Sequence, residues 1–194
     1  TVIMVDMVDA AERVIITWSE TRPEFSGRDL ADIAAELGCS ARDAAAQLIP
    51  GGAIYFLMDE ADVQRILSYP HAMVGSDGLP HDSHPHPRLW GTFPRVLGHY
   101  ARELGLMSLE EAVRRMTGLS AEQFGLKDRG VVRQGAFADI TLFDPETVID
   151  SATFEKPMTP AAGIDLVMVN GKIIREQGRV TGARPGRALR RNAA

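Results

Sequence analysis

Two rhythms of apolar and polar positions alternate along the chain up to about residue 125. Val14-Ile15-Ile16-Thr17-Trp18 is an unbroken run rich in β-branched residues, the pattern of a buried strand. Pro23 and Gly27 mark a loop. Leu30, Ile33, Ala34 and Leu37 then recur at helical spacing, with Ser26 as the expected N-cap and Gly38 as the stop. A second helix is expected from Ser40 to near Pro50. Gly51-Gly52 breaks the chain before the strand-like run from Ala53 to Leu57. Asp59 to Leu67 reads as a helix whose first-turn acids suit the macrodipole. Ala72-Met73-Val74 is expected as a short buried strand, followed at once by Gly75-Ser76-Asp77-Gly78. Thr92 to Gly105 is helical in pattern. Ser108 and Glu111 form a capping box for the helix to Met116, with Gly118 just past its end, and Ser120 and Gln123 repeat that spacing on a shorter helix.

After about residue 126 the texture turns to β. Ala138 to Asp144 and Asp165 to Glu176 read as strands, and Asn170-Gly171 is a type I′ hairpin signal. The tail from Gly182 is basic, polar and expected to be loosely ordered. Strands alternating with helices imply a parallel sheet or a barrel. A complete (β/α)₈ barrel needs about 250 residues, and the pattern here supplies only about two to four units. The chain is therefore expected to be a small open sheet, or the back half of a barrel whose front half lies elsewhere.

Composition narrows the function classes. The 194 residues carry 21 basic and 26 acidic side chains, a formal charge of −5. That balance argues against a nucleic-acid partner, which calls for a basic stripe. No apolar run approaches the ~20 residues of a membrane span. Cys39 is the one cysteine, which excludes an internal disulfide and points to a reducing, cytoplasmic setting. The first residue is Thr1 rather than Met, which raises the expectation that a preceding segment has been removed.

The densest polar cluster runs from Ser76 to Arg88 and holds Asp77, His81, Asp82, His84 and His86. Asp77 directly follows the expected strand, and in parallel α/β folds that position faces the ligand crevice. Its bland alternative is an Asx-turn aspartate that merely ends a strand. The histidines at 81, 84 and 86 have a spacing able to ligate a metal, or they belong to a solvated loop stiffened by Pro85 and Pro87. Arg88 is a candidate bidentate carboxylate clamp, or a plain surface arginine.

The run GSDGLPHDSHPHPRLWGTFPRVLGHYARELGLMSLEEAVRRMTGLSAEQFGLKDRG resembles the carboxyl-terminal half of the N-acyl-D-amino-acid deacylases (D-aminoacylases) of the amidohydrolase superfamily. WSETRPEFSGRDL, IYFLMDEADVQRIL, VVRQGAFADITLFDPETVIDSATF and VMVNGK extend the likeness to residues 13–188. The resemblance implies an α/β fold: the carboxyl-terminal part of a metal-dependent (β/α)₈ barrel over 1–125, then part of a small β-sandwich domain over 126–194. It implies hydrolysis of N-acyl-D-amino acids with zinc as cofactor. Asp77 matches the catalytic acid/base and a second, weaker metal site. Arg88 matches the arginine that holds the substrate's α-carboxylate, and Met58 a methionine of the substrate pocket, although a methionine at that spacing is equally a core residue. His81 and His86 fit the pattern without an assigned role. The family's H-x-H pair, metal-binding cysteine and two further histidines have no counterpart here, and Cys39 lies in the wrong context. A complementary amino-terminal segment is thus an expected partner.

Three competing readings remain open on sequence alone. Thr1 is the nucleophile of an N-terminal-threonine enzyme; the chain is a non-catalytic structural half; or the superfamily is right and the substrate is another amide lacking the carboxylate. The deacylase reading expects the Asp77 carboxylate to face a cavity beside a zinc ion that other polypeptide holds.

Overall fold

The computed structural model describes residues 2–190, so the reading of Thr1 lies outside the described residues. These residues gather into two compact units. One comprises the chain up to Val63 with Asp77–Trp90 and Ala152–Thr159; the other comprises Gln64–Ser76, Gly91–Ser151 and the chain from Pro160.

The first unit is built on β1 (Val14–Ser19) and β2 (Gly51–Tyr55), joined by α1 (Leu30–Leu37) and α2 (Ala41–Gln47). Its core holds Ile16, Phe25, Leu30, Ile33, Ala44, Leu48 and Ala53, all nearly or wholly removed from solvent. Burying one such large side chain contributes about 1.5–3 kcal/mol. Both faces of β1 are covered, which is why its sequence is continuous rather than alternating. α1 begins one turn later than expected: the Asp29 carboxylate accepts the Ala31 amide N–H, and Gly38 closes the helix at φ 64°. α2 starts at Ser40 as anticipated, its hydroxyl accepting the N–H of Asp43.

The strands pair antiparallel, against the parallel expectation. Two helices rather than one join them, and a second helix carries the chain back to the end it came from, so β2 runs opposite to β1. The register shifts between Ile16 and Trp18, leaving Thr17 in a bulge. α3 (Glu60–Leu67) follows, its first turn held by the Asp59 carboxylate. The strand expected at Ala72–Val74 does not form; Met73 is 39% exposed in a loop. Three residues without a partner strand have no ladder to satisfy their backbone groups, so the apolar run alone does not hold them extended.

α4 (Arg88–Arg95) begins before the expected Thr92 and continues as a π-helical turn, Val96–Glu103. The change follows Pro94, which has no N–H to give to the α ladder. In the second unit α5 (Leu109–Met116) is capped by Ser108, and α6 (Gly118–Phe124) follows directly. Ser120 is not the cap of α6: its hydroxyl donates to the Arg115 carbonyl. Strands β3 (Ile140–Phe143), β4 (Ile164–Val169), β5 (Lys172–Glu176) and β6 (Arg179–Val180) form an antiparallel meander. Asn170 and Gly171, at φ 46° and 76°, make the anticipated tight hairpin. Among the described residues no helix is long and apolar enough to cross a membrane.

Candidate active site

The polar cluster from Ser76 to Arg88 is tied to β1. The bulge at Thr17 frees that carbonyl from the β1–β2 ladder, and it accepts the amide N–H of His84 and the hydroxyl of Ser83, each at 3.0 Å. The loop then folds onto the first turn of α4. Gly78 lies so close to Leu89 that a Cβ there would come within 2.8 Å of the Leu89 Cα. This close approach brings Asp77 and Arg88, eleven positions apart, together: the Arg88 Nη2 donates to the Asp77 Oδ2 at 2.7 Å.

Asp77 holds φ at 48°, a left-handed conformation that a non-glycine residue adopts at a cost. Its side chain is 80% exposed. The expectation of a carboxylate at a strand end facing a cavity is therefore not met within this chain. Arg88 is the ion-pair partner of this carboxylate.

The histidines do not converge. His81 is exposed, 3.7 Å from the buried carboxylate of Asp82. The His84 Nε2 donates to the Phe154 carbonyl at 2.6 Å, and its ring covers Gly27, where a Cβ would stand 2.8 Å from Nδ1. His86 turns its Nδ1 to accept the backbone N–H of Arg88 at 3.0 Å, and its ring stands edge-on to Phe154 at 5.2 Å. Burial, reinforced by the Arg88 charge and only partly offset by Asp77, lowers the His86 pKa to about 4. Among the described residues no group of three histidine, cysteine or acidic side chains is placed to hold a metal ion. The three-histidine metal site is thereby corrected: Pro85 and Pro87 fix a path on which each ring finds its own partner. Asp77 by itself offers zinc one carboxylate where a site needs three or four ligands, so this chain's described residues do not fit the metal unaided.

Met58 stands on the loop between β2 and α3 and is 72% exposed, which removes the core alternative for it. Reading the sequence alone missed Phe154 and the contact of His86 with Arg88. The spacing H-P-R ahead of a helix was the available signal for the second. Phe154 lies too far along the chain for any local pattern to reveal it.

An amidohydrolase family model matches residues 4–175. The chain belongs to the amidohydrolase family. Over its whole length it is 58% identical to a D-aminoacylase of Alcaligenes xylosoxydans xylosoxydans, of which it covers 40%. It is 52% identical, over 97% of its length, to an N-acyl-D-aspartate deacylase of the same organism, covering 38% of that protein. The crystal structure of N-acyl-D-glutamate deacylase from Bordetella bronchiseptica, complexed with zinc and a phosphonate mimic of the tetrahedral intermediate, superposes with a TM-score of 0.90. That match is 52% identical and covers 92% of this chain and 38% of the other. The chain thus spans about 40% of the length of these relatives.

Proposed function

We propose that this chain is the carboxyl-terminal part of a zinc-dependent N-acyl-D-amino-acid deacylase, with Asp77 as general acid/base and Arg88 as the clamp for the substrate's α-carboxylate. Residues 1–125 would complete a (β/α)₈ barrel and 126–194 a small β-sandwich domain, each with a complementary amino-terminal segment. The one cysteine fits a reducing, cytoplasmic setting.

The observation that carries the reading is the 2.7 Å contact of Asp77 with Arg88. In an N-acyl amino acid the scissile nitrogen and the carboxylate carbon hang on one Cα, by bonds of about 1.5 Å each. A proton-transfer group at that nitrogen and a cation at that carboxylate must therefore be close neighbours. A substrate lacking the carboxylate would give Arg88 nothing to hold. The left-handed backbone at Asp77 is kind to this role, since strain of this sort gathers at functional positions.

In the reaction Asp77 takes a proton from the attacking water and returns one to the departing amine, a transfer worth about 10² to 10⁴ in rate. Arg88 fixes the carboxylate and so aims the amide, and a carboxylate, amide and side chain anchored at separate points distinguish D from L. Met58, exposed on its loop, is the apolar surface proposed to meet the substrate side chain. Zinc is the metal named with the Bordetella relative, and its ligands would come from sequence this chain does not span, Asp77 adding one oxygen as a second, weaker site.

The test is hydrolysis by the zinc-loaded enzyme that contains this chain, read as free D-amino acid released. Turnover of N-acyl-D-amino acids, with little on the L enantiomers or on acyl amines lacking a carboxylate, is the expected result. Equal turnover of the carboxylate-free amides would overturn the clamp and favour another amide substrate. For the chain by itself the second reading holds, a structural half without activity. Its 80%-exposed Asp77 and exposed Leu142 and Val180 favour that reading, and sedimentation of the isolated chain should show self-association.

A further inference from the structure

We propose that His86 is a positioning residue for Arg88: its Nδ1 accepts the Arg88 backbone N–H, closes the entry to α4 and fixes where the guanidinium stands. This rests on the reading of Arg88 as the carboxylate clamp.

The first N–H groups of a helix have no intrahelical acceptor. Asparagine or aspartate commonly supplies one through a bond to the amide two residues on. Here an imidazole does so, at 3.0 Å, while the His86 carbonyl accepts the next amide, that of Leu89, also at 3.0 Å. Two successive N–H groups at the head of α4 are therefore held by one residue.

A histidine brings what asparagine lacks, a flat ring with a second face to pack. That ring stands edge-on to Phe154, and Phe154 lies 4.6 Å from Phe56, over which Arg13 is placed at 5.1 Å. The backbone of Phe154 is itself pinned by His84, whose Nε2 donates to its carbonyl. The two histidines thus act in series. His84 holds the Phe154 segment, the Phe154 ring orients His86, and His86 sets the start of α4. Burial in this aromatic setting keeps the imidazole neutral, so its Nδ1 lone pair is available to accept. A guanidinium carried on a fixed first turn needs no ordering when the substrate carboxylate arrives.

The experiment compares His86→Ala and His86→Asn in the zinc-loaded enzyme that contains this chain, with Arg88→Ala as reference. Loss of the acceptor should raise KM for an N-acyl-D-amino acid roughly tenfold with kcat within about threefold, the size of one lost hydrogen bond. It should lower kcat/KM for a carboxylate-free acyl amine far less, and His86→Asn should recover most of the loss. Equal losses on both substrates, or no recovery by asparagine, would overturn the proposal. A separate readout isolates it from the clamp reading. ¹⁵N-histidine spectra of the wild-type enzyme should show His86 with an unprotonated, hydrogen-bonded Nδ1. A protonated Nδ1 would refute the positioning role whatever the kinetics. A KM unmoved by Arg88→Ala beside the expected spectrum would instead refute the clamp, and with it the catalytic part of this proposal.

Discussion

Replacing Asp77 by asparagine separates what this carboxylate does for folding from what it does for catalysis. Its contact with Arg88 is short, 2.7 Å, but the aspartate is 80% exposed and the arginine 36%. Exposed pairs of this kind contribute about 0.2–1 kcal/mol, because water screens the attraction and both side chains lose freedom. The backbone adds no penalty. At φ 48° asparagine is among the few residues that tolerate the left-handed region as well as aspartate does. Asp77→Asn should therefore destabilise the protein by about 1 kcal/mol or less, a shift of at most about 4 °C in Tm for a chain of this length. The amide cannot accept the proton from water, so turnover should fall by about 10² to 10⁴, equivalent to roughly 3–5 kcal/mol in the barrier. Urea unfolding gives the first quantity, and kcat on an N-acyl-D-amino acid with metal content held equal gives the second. A loss of stability above about 2 kcal/mol with turnover intact would show that Asp77 is a structural aspartate and sink the acid/base role.

Gly78→Ala should cost about 1–3 kcal/mol in chemical denaturation, since the new Cβ meets the Leu89 Cα at 2.8 Å and backbone cannot yield as a side-chain tip can. A neutral result would show that the loop is not packed on α4. Arg115 is 4% exposed and donates to the Leu67 and Tyr69 carbonyls while pairing with Glu111 at 2.7 Å. Arg115→Met should cost about 3–5 kcal/mol, measured the same way, because two carbonyls and a carboxylate lose their donor together. Hydrogen bonds from Arg114 and then Arg115 lower the Glu111 pKa from 4.5 to about 2. The folded value lies below the unfolded one, so this contribution is complete above about pH 4.5 and fades as pH falls through 2. Glu111→Gln should flatten that part of the stability–pH curve, and an unchanged curve would refute the assignment.

Much of the local structure was legible because local physics decides it. Ser40 and Ser108 cap helices where hydroxyls precede apolar periodicity, Gly38 ends one at positive φ, and Asn170-Gly171, both at positive φ, makes a turn that a two-residue hairpin favours. Where two acceptors competed for one role, pattern alone misjudged the winner: Asp29 rather than Ser26 caps α1. Asp77 and Arg88 were legible as chemistry through their flanking glycines and the specific motif around them. Their meeting was not, because it depends on Gly78 lying against Leu89.

The sequence by itself determined which segments are helical and where the hairpin turns, properties set by neighbours within a few positions, together with the acidic balance and the family likeness over residues 13–188. Tertiary structure decided the rest. It set the antiparallel sense of β1 and β2, the failure of Ala72–Val74 to become a strand, and the separate partners taken by His81, His84 and His86. Strand direction, strand survival and ring orientation each depend on which distant backbone or side chain supplies the missing hydrogen bond. That supply is fixed only when remote segments such as Phe154 come to rest beside the loop.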